Sequence, residues 1–184
     1  NTLQNNDGNG SFCETAFLSG VAASDWSWGG LIFDMNNDGL PDIYVCNGIY
    51  HDVTDQDFID FFADNIIQRM VLTGEKEEVD SIVNRMPSTP VLNKAFRNRG
   101  NLQFSDEGKA WGFTTPSFSN GAAYGDLDND GDLDLIVSNV NGPAFVYRNH
   151  QQELDSTASA ISIQLKGQGA NSFAIGSLIR VYAG

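Results

Sequence analysis

The residues best placed to do chemistry lie in Asp126-Leu127-Asp128-Asn129-Asp130-Gly131-Asp132-Leu133-Asp134. Oxygen-bearing side chains hold its first, third, fifth and ninth places, and a glycine holds the sixth. On a tight loop successive side chains point apart, so alternate ones converge on a common centre. Such a centre suits a hard cation that takes six to eight oxygens at about 2.3–2.6 Å. Gly131 permits the sharp reversal because glycine adopts positive φ without strain, and the backbone carbonyl of Asp132 offers one more oxygen. Calcium is the expected ion.

The pattern occurs twice. Asp34-Met35-Asn36-Asn37-Asp38-Gly39-Leu40-Pro41-Asp42 sets the same oxygens at the same places, 92 positions earlier. At that offset residues 6–47 align with 98–139 without a gap, with identities at Asn6/Asn98, Gly8/Gly100, Phe12/Phe104, Gly20/Gly112, Gly29/Gly121 and Asn47/Asn139. A long fixed period is the signature of a repeat architecture. One Asp/Asn/Gly cluster alone reads equally well as a solvated turn. Two copies with the same spacing, each leading into an apolar run (Ile43-Tyr44-Val45 and Leu135-Ile136-Val137), favour the metal. An EF-hand is excluded, because it needs a bidentate Glu at the twelfth place and flanking helices, and here the twelfth residues are Val45 and Val137 in β-rich runs.

The elements that must hold the loops follow in order. Residues 3–6 and Ser11–Glu14 read as paired strands around the turn Asn6–Gly10, with Phe12 facing a core. Gly20–Ser27 reads as a loop and Gly29–Phe33 as the strand entering the first acidic loop. The second copy repeats this with Ala95–Asn98, a turn at Gly100-Asn101, Leu102–Ser105, Gly121–Gly125 and a strand over 135–138. Phe145–Asn149 resembles Ala95–Asn98 without the glycine turn after it, so the last unit ends there.

Residues 52–87 interrupt the repeat with a helical hairpin. Phe58, Ile59, Phe61, Phe62, Ile66, Ile67, Met70 and Val71 recur at helical spacing over Thr54–Gly74, with Thr54 and Asp57 as a capping box and Gly74 as the stop. A second helix is expected over Glu75–Arg85, ended by Pro87; the pair reads as a packing insertion over a sheet edge. Beyond Asn149, Gln151–Ala158 is a polar link. The alternation Ile161-Ser162-Ile163-Gln164-Leu165 and the run Ile175–Tyr182 predict two strands of a second β domain.

The totals narrow the function. The chain of 184 residues carries 10 Lys and Arg against 24 Asp and Glu, a formal net charge of −14. That repels nucleic acid, whose phosphates are bound by displacing counterions with Lys and Arg, and Arg97, Arg99 and Arg148 are scattered at strand ends. At 41% hydrophobic and 18% charged residues the chain is no disordered acidic tail. No apolar run approaches the ~20 residues of a membrane span. Cys13 and Cys46 make no disulfide framework. The first residues fall inside a repeat unit, so a leader is expected upstream, if anywhere.

The acidic loops, their Gly-containing approach strands and the turns Asn6–Phe12 and Phe96–Phe104 resemble FG-GAP/VCBS repeats, the blades of integrin-α-type β-propellers. The run Ser162–Gly184 is similar to the start of an ASPIC/UnbV domain. The resemblance implies a mainly β chain: propeller blades over 1–150, then a truncated β domain over 151–184. It makes Asp34, Asn36, Asp38 and Asp42, with the Leu40 carbonyl, one calcium site, and Asp126, Asp128, Asp130 and Asp134, with the Asp132 carbonyl, another. Asn36, in place of the commoner Asp, lowers the charge of the first site and makes it the weaker. Two loops supply about two blades, fewer than a ring requires, so the rest of the propeller is expected from further chain.

The expected function is a non-catalytic calcium-binding module of an extracellular, periplasmic or cell-surface protein that binds a protein or glycan, as in adhesion. The alternative is a glycan-processing enzyme. Against it, His51 and His150 sit in no nucleophile or zinc motif, and the aspartates are committed to metal spacing. Trp26, Trp28 and Trp111 read as core or rim packing rather than a binding surface.

Overall fold

The computed structural model describes all residues except 53, 75–82, 156–160, 162 and 183–184. The elements are β1 (Gln4–Asn6), β2 (Phe12–Glu14), α1 (Ala16–Ser19), β3 (Ser27–Phe33), β4 (Asp42–Asn47), α2 (Gln56–Thr73), β5 (Lys94–Asn98), β6 (Phe104–Asp106), β7 (Ser119–Gly125), β8 (Asp134–Asn139), β9 (Phe145–Tyr147) and α3 (Gln151–Leu154). They form a mainly β fold of three antiparallel sheets, ordered β1-β2, β3-β4-β5-β6 and β7-β8-β9. This is the partial propeller expected from the repeat.

Sheet and repeat are out of phase. The aligned segments 6–47 and 98–139 each begin in the outer strands of one blade and end in the inner strands of the next. The chain therefore holds the outer half of one blade (β1-β2), a complete blade (β3 to β6) and three strands of another (β7 to β9). Register repeats too. Ile43 sits opposite Phe96 in the complete blade, and Leu135 opposite Tyr147 in the next.

β4 is the central strand and is buried along its whole length. Ile43 and Val45 on one face pack with Ala16, Val21 and Phe96. Tyr44 and Cys46 on the other face pack with Phe33, Met35, Ala95, Phe113, Leu135 and Val137, the core between the two blades. On β8 only the inward face is covered: Val137 is fully buried and Ile136 is 38% exposed. Ile136 is the repeat equivalent of the fully buried Tyr44, so the open face of the last blade corresponds to the face that a following blade covers in the first.

At the strand ends away from the acidic loops, a polar network holds the blades together. Ser27 Oγ donates to Asn47 Oδ1 at 3.2 Å, and its repeat equivalent Ser119 Oγ donates to Asn139 Oδ1 at 2.7 Å. Asn93 bridges the two pairs, accepting from Asn47 N at 2.8 Å and donating to Ser119 Oγ at 2.8 Å. The inner strands β3 and β7 approach so closely that a Cβ on Gly29 would lie 3.4 Å from Gly121 Cα.

Several expectations are corrected. Phe12 is 62% exposed rather than in a core: β1-β2 lacks the inner strands of its blade, whereas its equivalent Phe104 packs against the cluster of Ile43, Val45 and Phe96. The cap of α2 is Asp55, whose carboxylate accepts Phe58 N at 2.8 Å, in place of a Thr54–Asp57 box. Gly74 ends the helix in the left-handed conformation, as expected. The expected second helix lies mostly outside the described residues. The described part of 161–182 forms turns and no strand, and its hydrogen bonds, such as Gly167 N to Ser172 O, are local. An isolated pair of strands is marginal without a third or a covering layer, and the ASPIC/UnbV resemblance finds no support. Trp111 packs against the core, while Trp28, on β3, is exposed with its indole N–H donating to Gly48 O at 2.6 Å.

Both thiols are free. Burial pushes the Cys46 thiol up to about 11, while Cys13 is exposed. A thiol reagent at pH 8 is expected to label Cys13 in the native protein and Cys46 only after denaturant is added; equal native labelling would contradict this burial. Leu135→Ala is expected to cost about 2–5 kcal/mol in urea unfolding, and Val146→Ala, at an exposed position, less than about 0.5 kcal/mol.

Candidate metal centre

The acidic loops join the two inner strands of each blade, β3 to β4 and β7 to β8, and their backbones are alike. The fourth residues, Asn37 and Asn129, have φ 56° and 61°, and the sixth, Gly39 and Gly131, φ 84° and 91°. Asparagine is among the side chains that best tolerate this left-handed region. At Gly131 a Cβ would also meet the Gln152 amide nitrogen at 2.6 Å.

In the second loop the structure brings Asp126, Asp128 and Asp130 together, each offering an oxygen within 4.8 Å of the others. Two ligands across an ion at about 2.3–2.6 Å are about 4.6–5.2 Å apart, so these oxygens fit a single coordination sphere. The donors are all oxygen, which suits calcium rather than a softer metal. A cationic side chain already uses the position: Arg148, one residue past β9, meets Asp128 at 2.6 Å and Asp130 at 3.2 Å. The Asp132 N–H, with help from Arg148, holds the Asp130 carboxyl below the usual carboxylate range. Among the described residues this is the one trio of acidic, His or Cys side chains so gathered.

Asp134 does not join the trio. It is buried and closes the loop: its carboxylate accepts Leu127 N at 3.0 Å and Asn149 N at 2.8 Å. Asp42 does the same in the first loop, taking Met35 N at 3.1 Å and Asn98 N at 2.7 Å. Burial pushes the Asp42 carboxyl up, those two N–H groups oppose the rise, and Asp38 and Asp34 add to it.

The remaining first-loop residues are tied together locally. Asp34 accepts Gly39 N at 2.9 Å, Asn36 donates to Asp38 at 2.9 Å, and Leu40 N donates to Asp38 at 3.0 Å. Arg97 meets Asp38 at 3.1 Å, the counterpart of Arg148. Burial pushes the Asp38 carboxyl up, but Asn36, Leu40 N–H and Arg97 together leave it below its ordinary value.

Reading the sequence missed three partners. Arg97 and Arg148 occupy equivalent strand positions and face the loops; the shared Arg-Asn dipeptide at 97–98 and 148–149 was the available signal. Asp132, expected to offer only its carbonyl, also places its buried side chain between Asn37 Nδ2 at 2.6 Å and Gln152 N at 2.9 Å. Of the two histidines, His150 pairs with Glu153 at 3.1 Å and His51 packs edge-on against Tyr50.

A model of the FG-GAP-like repeat matches residues 79–137, a span that includes β5, β6, β7 and the second acidic loop. Comparison with curated proteins gave no match. Among the described residues no helix is long and apolar enough to cross a membrane.

Asp134→Ala leaves two backbone N–H groups without their acceptor. It is expected to cost about 3 kcal/mol in chemical denaturation, with Asp134→Asn costing less. Equal, near-zero losses for both would show that the carboxylate does not close the loop.

Proposed function

We propose, from the FG-GAP-like repeat at residues 79–137, that the chain is a non-catalytic, calcium-stabilised propeller module that works outside the cytoplasm, as part of an extracellular, periplasmic or cell-surface protein. The observation that carries this reading is the convergence of Asp126, Asp128 and Asp130 on one ion-sized centre, in a loop that recurs at Asp34–Asp42.

Calcium supplies charge neutralisation there. Asp126, Asp128 and Asp130 would hold it in the second loop, and Asp34, Asn36 and Asp38 in the first, with the carbonyls of Leu40 and Asp132 as further oxygens. Asp42 and Asp134 position the loops from behind. The role is structural: each ion offsets the repulsion of carboxylates that a strand-to-strand connection forces together. Sites of this kind fill at the millimolar calcium found outside cells.

A propeller face built on such loops is a platform for a protein or glycan partner. The acidity of the chain, at −14, disfavours nucleic acid. The open face of β8, where Ile136 is exposed, supports further blades supplied by additional chain.

Free calcium at 100 times the dissociation constant is expected to add about 2.7 kcal/mol per filled site, read as a rise of several degrees in Tm that EDTA reverses. Asp126→Asn combined with Asp128→Asn should remove the second loop's share. A wild-type Tm indifferent to both calcium and EDTA would overturn the proposal.

A further inference from the structure

The two acidic loops touch. Asn37, the fourth residue of the first loop, donates from its side-chain amide to Asp132 Oδ1 at 2.6 Å, across the boundary between blades. Asp132, the seventh residue of the second loop, is 1% exposed, and its other oxygen accepts Gln152 N at 2.9 Å. Asn37 lies between the candidate ligands Asn36 and Asp38, and Asp132 follows Gly131, two residues before the loop-closing Asp134. A second bond, Asn149 Nδ2 to Met35 O at 2.8 Å, also crosses the boundary, but it joins a residue at a strand end to the start of a loop. Among the described residues, the Asn37–Asp132 bond alone joins the middle of one loop to the middle of the other.

We infer that Asn37 and Asp132 form a latch that couples the two loops, so that an ion entering one raises the affinity of the other. The inference rests on the calcium reading above. An ion in the first loop fixes the backbone around Asn37, which sits at φ 56°, and so fixes its amide where Asp132 receives it. Asp132 in turn fixes the segment whose N–H donates to Asp130 of the second centre at 2.9 Å. The conformational entropy of ordering that shared segment is lost once rather than twice, which is positive cooperativity without a new contact. The coupling is reciprocal by thermodynamic necessity. Asn37 offers no ligand of its own at the alternate positions, so its side chain is a positioning group.

The test is a cycle of calcium titrations by calorimetry. Asp126→Asn with Asp128→Asn disables the second loop, and the affinity of the first is measured with and without that pair of changes. In the wild-type background, disabling the second loop is expected to weaken the first by about fivefold or more. In an Asn37→Gly background, which keeps the left-handed backbone and removes the amide, the same change should weaken it by less than about twofold. The exchange Asn37→Asp with Asp132→Asn restores a donor–acceptor pair in the reverse sense and leaves an oxygen for Gln152 N, so the fivefold effect should return.

If the fivefold effect persists in Asn37→Gly, or if the wild-type loops bind independently, the latch is refuted while the calcium reading stands. If the wild-type chain takes up no calcium, both fall together.

Discussion

Each blade depends on one buried carboxylate that accepts two backbone N–H groups from different segments. Asp42 draws Met35 at the start of its loop and Asn98 at the end of β5 onto the first residue of β4, and Asp134 does the same with Leu127 and Asn149. A charged acceptor shared by two buried donors is worth more than a neutral bond, and its loss leaves both donors unsatisfied. The geometry of the loop, the register of β4 against β5 and the position of Arg97 near the end of β5 all depend on that contact. The equivalent contact in the next blade fixes β8, β9 and Arg148. The forward carboxylates Asp38, Asp128 and Asp130, by contrast, each meet an arginine.

Much of this was legible in the sequence because it is periodic. The offset of 92 exposed the loops, the glycine turns and the paired strands, and the break in that pattern located the helical insertion. Contacts between units were harder to read. Asn37–Asp132 and Asn93–Ser119 join residues whose partners depend on how one blade leans on the next, and spacing along the chain carries no signal of that. Ser27 and Ser119 were readable in principle, since they recur at the same offset as Asn47 and Asn139, which they bond.

The failures share a cause. Phe12 and the segments Ile161–Leu165 and Ile175–Tyr182 carry patterns that suit a half-buried strand, but alternation records what a segment is able to pack against, not whether that surface is present. Phe104, at the same place in the repeat as Phe12, is half-buried because Ile43, Val45 and Phe96 lie against it. Asp55 displaced the expected cap for a local reason: its side chain reaches Phe58 N, whereas Thr54 bonds to Asp52.

Gly29 leaves room for the Gly121 backbone where β3 and β7 meet, at the seam between the two larger sheets. A larger side chain at Gly29 would press on the backbone of Asn120 and Gly121, whereas a Cβ at Gly121 would meet open space. The seam therefore tolerates an added side chain on β7 more readily than on β3.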